Sequence, residues 1–179
     1  MTEEVISFIE KAAAKVESRY LNLTTAASGE SGVVRERVFC YELYHQLRLL
    51  LGDNHQLTLN GEIDKRGHID FKPNDRKNPD FIFHIQGQHE GNTLIVEVKG
   101  KLDKSGIKKD FETLITFVSK YKYEAGVFLL YNHTIKELIK ILNQEFPDFE
   151  KVDCADRIFI IVLPTAGQVK QAQKLSSLK

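Results

Sequence analysis

The sequence predicts a single α/β domain in which helices flank a mixed central sheet. Three observations favour this class. Apolar residues recur every three or four positions in the N-terminal part of the chain, a spacing typical of amphipathic helices. Three short stretches rich in branched and aromatic residues follow, as expected of strands. Helical patterns then alternate with compact apolar runs, as in the crossovers that join parallel strands.

Two amphipathic helices are predicted ahead of the strands. The first covers residues 3–23, and the second covers residues 33–51, with Ser31 as a candidate cap. Glu36 falls on the apolar face of the second helix. It is either a site residue or a first-turn acid favoured by the helix dipole. Glu42, on the other side of the same helix, is its rival.

The remaining elements complete the predicted order. Strands are expected at 56–62, 80–86 and 93–99, a helix at 107–121, a strand at 126–130, a helix at 133–146 capped by Thr134 or Asn132, and a strand at 158–163. We divide the chain into an N-terminal helix (1–28), a core (31–131), a C-terminal helix and strand (132–166) and a polar tail (167–179) that should fray.

The composition is that of an ordinary globular protein. Of 179 residues, 42% are hydrophobic and 28% charged, which excludes disordered, collagen-like and coiled-coil chains. Lys and Arg number 25, as do Asp and Glu, so no global basic field indicates nucleic acid, although a local groove remains compatible. Cys40 and Cys154 match no metal or redox spacing, and no signal sequence or apolar run of ~18 residues is evident. We therefore expect a cytoplasmic protein with two plain thiols and no membrane partner.

Polar residues share one face if the strands predicted at 80–86 and 93–99 form a hairpin. With a six-residue loop between them, antiparallel pairing sets Asp80 opposite Lys99 and Ile82 opposite Glu97. Because side chains alternate along a strand, Asp80, Glu97 and Lys99 then point to the same side of the sheet. His84 lies on that side too. An odd-length loop would separate Asp80 from Glu97.

Such a face has the chemistry of a metal-dependent hydrolase. Two partly desolvated carboxylates repel each other unless positive charge lies between them. Mg²⁺ prefers oxygen ligands, usually takes one or two protein carboxylates, and leaves positions for phosphate. Lys99 would orient a water, help to deprotonate it, or hold a phosphate oxygen. The competing interpretation is a solvated hairpin face with an ordinary cross-strand salt bridge.

A Pro-Asp pair ends at Asp80, and a Glu-Val-Lys run begins at Glu97. This pattern, with the surrounding element order, resembles the PD-(D/E)XK nuclease superfamily, whose restriction-endonuclease-like core has the order αβββαβ. The resemblance implies that Asp80, Glu97 and the Val98 carbonyl bind Mg²⁺ or Mn²⁺. It implies a catalytic role for Lys99 and an acid from the first core helix, for which Glu36 is the candidate. The expected activity is that of a magnesium-dependent deoxyribonuclease, an endonuclease acting on DNA.

A second resemblance, to small uncharacterised restriction-like proteins, is carried by the run Gly-Glu-Ile-Asp-Lys-Arg at 61–66 and by His84. It implies that Glu62, Lys65 and His84 surround the site. It also implies that Lys65 or Arg66 contacts phosphates.

Further lysines follow the motif and would hold a nucleic-acid backbone or simply form a solvated helix face; they are Lys101, Lys104, Lys108 and Lys109. No Trp is present, and the tyrosines indicate no base-stacking platform.

Two other functions stay open. One is a catalytically silent nucleic-acid-binding or assembly subunit with the same fold, in a DNA-processing or defence system. The other is a structural domain whose acids decorate its surface. For a nuclease that cuts both strands we expect a homodimer or larger complex, because one such site cuts one strand at a time.

Overall fold

The computed structural model describes residues 1–24, 26, 29, 32–62, 78–85 and 91–178. Its helices are α1 (Thr2–Lys15), α2 (Ser18–Leu21), α3 (Glu36–Leu51), α4 (Lys104–Lys120) and α5 (Ile135–Glu145). Its strands are β1 (Thr58–Gly61), β2 (Phe81–His84), β3 (Asn92–Lys99), β4 (Ala125–Tyr131), β5 (Ile158–Leu163) and β6 (Lys170–Lys174). In the described part of the chain, short 3₁₀ turns lie at Phe149–Lys151, Ala155–Arg157 and Leu175–Ser177.

The described strands form one mixed sheet in the order β1-β2-β3-β4-β5-β6. β1, β2 and β3 pair antiparallel, β3, β4 and β5 pair parallel, and β6 returns antiparallel to β5. Parallel neighbours need a crossover, which α4 supplies between β3 and β4 and α5 supplies between β4 and β5. The predicted α/β fold with a mixed sheet flanked by helices is confirmed.

Helices cover both faces of the sheet, and strand alternation divides the core between them. α1 and α3 pack on the face that carries Val96 and Leu129. α4 and α5 pack on the opposite face, which carries Ile95 and Phe128. β3 is therefore buried on both sides, and Glu97 is the charged residue among its buried positions.

The helix predicted at residues 3–23 is two helices. α1 ends at Lys15, Val16 takes extended backbone angles (φ −69°, ψ 118°), and α2 begins at Ser18. Val16 is buried all the same, 1% exposed. Its side chain continues the apolar pattern after the backbone has left the helix, so periodicity alone hides this break.

The other helix boundaries depend on end residues. α3 begins at Glu36, three residues later than predicted, and the candidate cap Ser31 lies outside the described residues. α3 ends at Leu51, and Gly52 follows it with a φ of 66°, which suits glycine. Of the two candidate caps of α5, Thr134 and Asn132, the cap is Thr134, in a reciprocal box with Glu137.

The pairing of β2 with β3 differs from the predicted register by two residues. Ile82 lies opposite Ile95, so the predicted pairs Ile82 with Glu97 and Asp80 with Lys99 are wrong. β2 ends two residues earlier than predicted and carries a bulge, so the connection is longer than the assumed loop. A shift of two residues leaves each side chain on the same face of the sheet, so Asp80, Glu97 and Lys99 still share a face.

The C-terminal tail is ordered, which corrects the expectation that it frays. Lys170–Lys174 forms β6 against β5 at the sheet edge. Leu175 and Leu178 then bury their side chains in the core on the α4 side. Apolar burial just beyond a polar strand therefore holds the tail in place.

Both cysteines, Cys40 and Cys154, are free and buried, as expected of plain core thiols. Among the described residues, no helix combines the length and apolar character that crossing a membrane requires.

Candidate metal centre

Acidic side chains meet where β3 ends and β2 begins. The observed register, continued by one residue, sets Asp80 opposite Glu97. Glu97 is 6% exposed and Asp80 is partly buried. The two carboxylates are thus withdrawn from water, and the interpretation of a solvated hairpin face is wrong.

The Asp80 carboxylate replaces a strand partner at the end of the β2–β3 ladder. Its Oδ2 accepts a hydrogen bond from the Val98 amide at 2.7 Å. The same register sets Pro79 opposite Val98, and proline has no N–H to donate. Because the N–H and C=O of one strand residue point to the same neighbour, the Val98 carbonyl faces this open end of the ladder. Because Pro79 donates no hydrogen bond to it, the Val98 carbonyl oxygen lies open on the side of the carboxylates.

Glu36 reaches the same strand end from α3. Its Oε2 accepts a hydrogen bond from the Gly100 amide at 2.9 Å, and its Oε1 lies 3.5 Å from the Lys99 ammonium. The rival acid Glu42 is engaged elsewhere, because its Oε1 accepts a hydrogen bond from Gln46 at 2.7 Å. The structure thus brings Glu36, and not Glu42, to the motif.

The ring of Tyr131 lies beneath this strand end. A Cβ at Gly100 would stand 2.3 Å from the Tyr131 hydroxyl, so only glycine permits this packing. Tyr131 stacks on Phe39 with ring centroids 4.1 Å apart, and burial raises the pKa of its hydroxyl. Gly100 therefore allows the backbone to pass over the Tyr131 ring and to reach Glu36.

Sequence reasoning missed Asp110, which holds the motif lysine. Its Oδ2 lies 2.8 Å from the Lys99 ammonium, and the side chain is 8% exposed. Asp110 stands between Ile107 and Phe111 on the buried face of α4. An acid on an apolar helix face was the signal that singled out Glu36, and the same signal marks Asp110.

Burial dominates the electrostatics of the acids. It raises the pKa of Asp80 to about 7, against the opposing hydrogen bond from Val98. It raises the pKa of Glu97 well above the usual range, and the charges of Asp80 and Asp110 add to the effect. Burial also raises the pKa of Asp110, although the hydrogen bond from Lys99 opposes it. Without a bound cation, these acids therefore hold their protons to higher pH than exposed carboxylic acids do.

Lys99 is a fixed cation. Burial lowers the pKa of its ammonium, but the hydrogen bond and charge of Asp110 and the charge of Glu36 outweigh burial and raise the pKa overall. The side chain is 11% exposed. Lys99 is thus protonated at neutral pH and acts through its charge and its N–H donors.

The donor set fits a divalent cation that keeps much of its water. Within the described ranges, no three His, Cys, Asp or Glu side chains already form a group able to hold a metal. Mg²⁺ needs no such cage, because it usually binds through one or two carboxylates and retains waters. Asp80 and Glu97 would supply the carboxylates, and Val98 would supply a carbonyl. Burial and the charges of Asp80 and Asp110 disfavour the ionised form of Glu97, and a bound cation would offset both effects.

The second resemblance predicts that Glu62, Lys65, Arg66 and His84 surround the site. Of these, the structure describes Glu62 and His84. Glu62 follows β1, its amide donates to the Asp80 carbonyl at 3.1 Å, and its carboxylate pairs with Arg37 at 3.3 Å. Lys65 and Arg66 lie outside the described residues. Of this set, the structure therefore brings Glu62 to Asp80.

His84, Lys101 and Lys104 do not join the acids, whereas the charge of Lys109 acts on Glu97 and Asp110. His84 is at the far end of β2, where its Nε2 lies 2.6 Å from the Asn60 Oδ1. Lys101 and Lys104 are exposed beyond β3, and Lys104 pairs with Glu145 at 3.2 Å. These lysines stand near the site without contributing to its charge pairs.

A cleft of about 500 Å³ opens from Asp80 between α3 and the β1–β2 edge. It is lined by Cys40, Tyr41, Tyr44, Asn60, Gly61, Glu62, Asp80 and Phe81. Its volume is that of a small-molecule site, and Asp80 belongs to both the cleft and the acid cluster.

Comparison with models of protein families, with curated proteins and with solved structures finds no match for this chain. The chemistry of the strand end therefore carries the functional conclusion.

Proposed function

We propose that this protein is a divalent-metal-dependent nuclease that hydrolyses phosphodiester bonds, with DNA as its substrate. The observation that carries the proposal is the pair of desolvated carboxylates, Asp80 and Glu97, beside the protonated Lys99. A stable core would place apolar residues at such positions, because buried charge is expensive. A bound cation would compensate the carboxylates, and a bound phosphate would pair with Lys99, so ligand binding accounts for the buried charge.

Each residue of the cluster has a role that its contacts support. Asp80, Glu97 and the Val98 carbonyl would hold Mg²⁺ or Mn²⁺. When bound, such an ion neutralises charge that develops on the phosphoryl oxygens. Lys99 presents N–H donors to the attacking water or to a phosphate oxygen, held in place by Asp110 and Glu36.

The order of elements supports the same proposal. The described elements from α3 to β4 follow the order αβββαβ, the order of the restriction-endonuclease-like core that the motif resembles. β3, which carries the Glu-Val-Lys run, is central in the sheet and pairs with β2 and β4. We therefore assign the fold to that class as part of the proposal.

The proposal also covers the DNA-contacting residues, the cellular compartment and the oligomeric state. Exposed Lys101 and Lys104 flank the strand end and would contact the DNA backbone. Two buried free thiols suit a reducing cytoplasm. A homodimer or larger complex would supply the second site that double-strand cutting requires.

A catalytically silent nucleic-acid-binding subunit is the second candidate. The observation in its favour is that two carboxylates already engage the Lys99 ammonium. In this candidate the acids hold the lysine and the fold, and no bond is cut.

A nuclease assay separates the two candidates. Supercoiled, linear and branched DNA are incubated with Mg²⁺, Mn²⁺ or EDTA and wild-type protein, Asp80→Asn or Glu97→Gln. The nuclease predicts cutting that needs the metal and disappears in both variants. Asp156→Asn and Glu42→Gln are matched controls, because Asp156 is exposed and Glu42 faces away from the cluster.

Cutting that persists in Asp80→Asn or Glu97→Gln would overturn the assignment of the site. Folded, metal-binding protein that cuts none of the three substrates would favour the silent subunit.

A further inference from the structure

We propose that the cleft between α3 and the β1–β2 edge binds an unpaired nucleobase of the strand that is cut. This inference rests on the proposed nuclease function and names its substrate class: single strands, flaps or frayed ends. It follows from the lining of the cleft, its polar rim and the distribution of charge around it.

The cleft has an aromatic wall. Tyr41 and Tyr44 lie three residues apart on α3, so their side chains project from the same side of the helix. Tyr44 packs near Phe81, with ring centroids 6.3 Å apart. Tyr41 is 67% exposed, although large hydrophobic side chains are usually covered. An exposed ring at the mouth of a cleft is a surface on which a base can stack.

The opposite rim carries hydrogen-bonding groups. The Glu62 carboxylate lies on this rim, 3.3 Å from the Arg37 guanidinium, so an acceptor and donors stand side by side there. The Asn60 side chain is not among them, because Asn60 pairs with Ile82 and points, with His84, to the opposite face of the sheet. A donor and an acceptor side by side match the edge of a base.

Charge decides which part of a nucleotide enters. Among its described lining residues the cleft has two acids and no cation, and Glu62 already pairs with Arg37, so the lining offers no free positive charge to a phosphate. Lys101 and Lys104 are exposed beyond β3, where they attract the backbone. The neutral base therefore enters the cleft, and its phosphate stays at the acid cluster, with Asp80 common to both.

A base in this cleft is not paired with a complementary strand. A stacking wall and a polar rim occupy the ring face and the hydrogen-bonding edge that a duplex would use. Duplex interiors would bind only after a base is extruded, which requires the base to be unpaired and unstacked. The tyrosines, which the sequence did not indicate as a stacking platform, supply one through their position beside β1.

Binding of short oligothymidylate, oligouridylate and blunt duplex DNA tests the inference. Affinity is measured by fluorescence anisotropy with Ca²⁺ in place of Mg²⁺, for wild type, Tyr41→Ala and Tyr41→Phe. Single strands should bind more tightly than the duplex, and Tyr41→Ala should weaken single-strand binding roughly tenfold. Tyr41→Phe keeps the ring and should recover most of the affinity. The thymidylate and uridylate arms distinguish a DNA strand from an RNA strand.

Leu49→Ala is the matched control, because Leu49 lies on the same helix, is 63% exposed and does not line the cleft. Its affinity should equal that of wild type. Equal binding by wild type and Tyr41→Ala, a preference for duplex, or no binding at all would each overturn the inference.

The two proposals fail in different ways. If wild type cuts DNA with Mg²⁺ and Tyr41→Ala binds and cuts single strands equally well, the nuclease stands and the cleft assignment falls. If single-strand binding depends on Tyr41 and no metal supports cutting, the nuclease proposal falls.

Discussion

Replacing Asp80 by asparagine should stabilise the metal-free protein at neutral pH, although the substitution removes a site residue. The pKa of Asp80 is raised from 3.8 to about 7, chiefly by burial. An acid with a raised pKa binds its proton more tightly in the folded state, so stability falls as pH rises from about 4 to about 7. Asparagine has no such charge, and its side-chain oxygen can still accept the Val98 amide bond.

The size of the effect follows from the shift. At about 1.4 kcal/mol per pKa unit, the full penalty on wild type is about 4 kcal/mol at most. Between about pH 5 and about pH 8 the penalty grows by about 2–3 kcal/mol. Loss of the charged acceptor for the Val98 amide offsets about 1 kcal/mol at both pH values. In a chain of this length the advantage of Asp80→Asn should therefore grow by roughly 5–10 °C in Tm over that range.

Thermal melts followed by circular dichroism in EDTA measure this difference, with the exposed Asp156→Asn as control. Mg²⁺ should then raise the Tm of wild type more than that of Asp80→Asn, because ligand that binds only the folded state stabilises it. An Asp80→Asn protein that is less stable than wild type by the same amount at both pH values would refute the reasoning. It would mean that the carboxylate is not desolvated.

Three further predictions concern the strand end and the tail. Lys99→Ala should lower kcat by roughly 100-fold while a Mn²⁺ titration shows retained metal affinity, because the lysine acts on the reacting groups. Gly100→Ala should destabilise the fold by about 1–3 kcal/mol in urea unfolding, since the added Cβ would meet the Tyr131 ring at 2.2 Å. An unchanged midpoint would contradict that packing. Leu175→Ala should lower stability by about 2–5 kcal/mol in the same assay, whereas a frayed tail would give no change.

Elements that depend on neighbouring residues could be predicted from the sequence. β5 has the predicted bounds, because its apolar run stands between Arg157 and Pro164. Thr134 was identifiable as a cap because its partner Glu137 is three residues away. The common face of Asp80 and Glu97 followed from strand parity alone, which survives a shift of two residues.

Features that depend on distant contacts could not be predicted. β6 is polar at almost every position and gains its place by pairing with β5. Leu175 is one of a few apolar residues in the tail, and its burial depends on the core it meets. The β2–β3 register depends on the length of the connection and on the bulge after Phe83. None of these leaves a periodic signal in the chain.

Three acids break the hydrophobic pattern of the element that holds them, and all three meet at one strand end. Glu97 interrupts a strand buried on both faces, Asp110 stands on the buried face of α4, and Glu36 begins α3 beneath the same strand. Apolar residues of similar volume would often be neutral or stabilising at such positions, so stability does not explain them. Departures from local rules that are scattered along the chain yet converge on Lys99 are what a functional site produces. Their convergence, more than the short Glu-Val-Lys run, argues that this strand end binds and acts on a ligand.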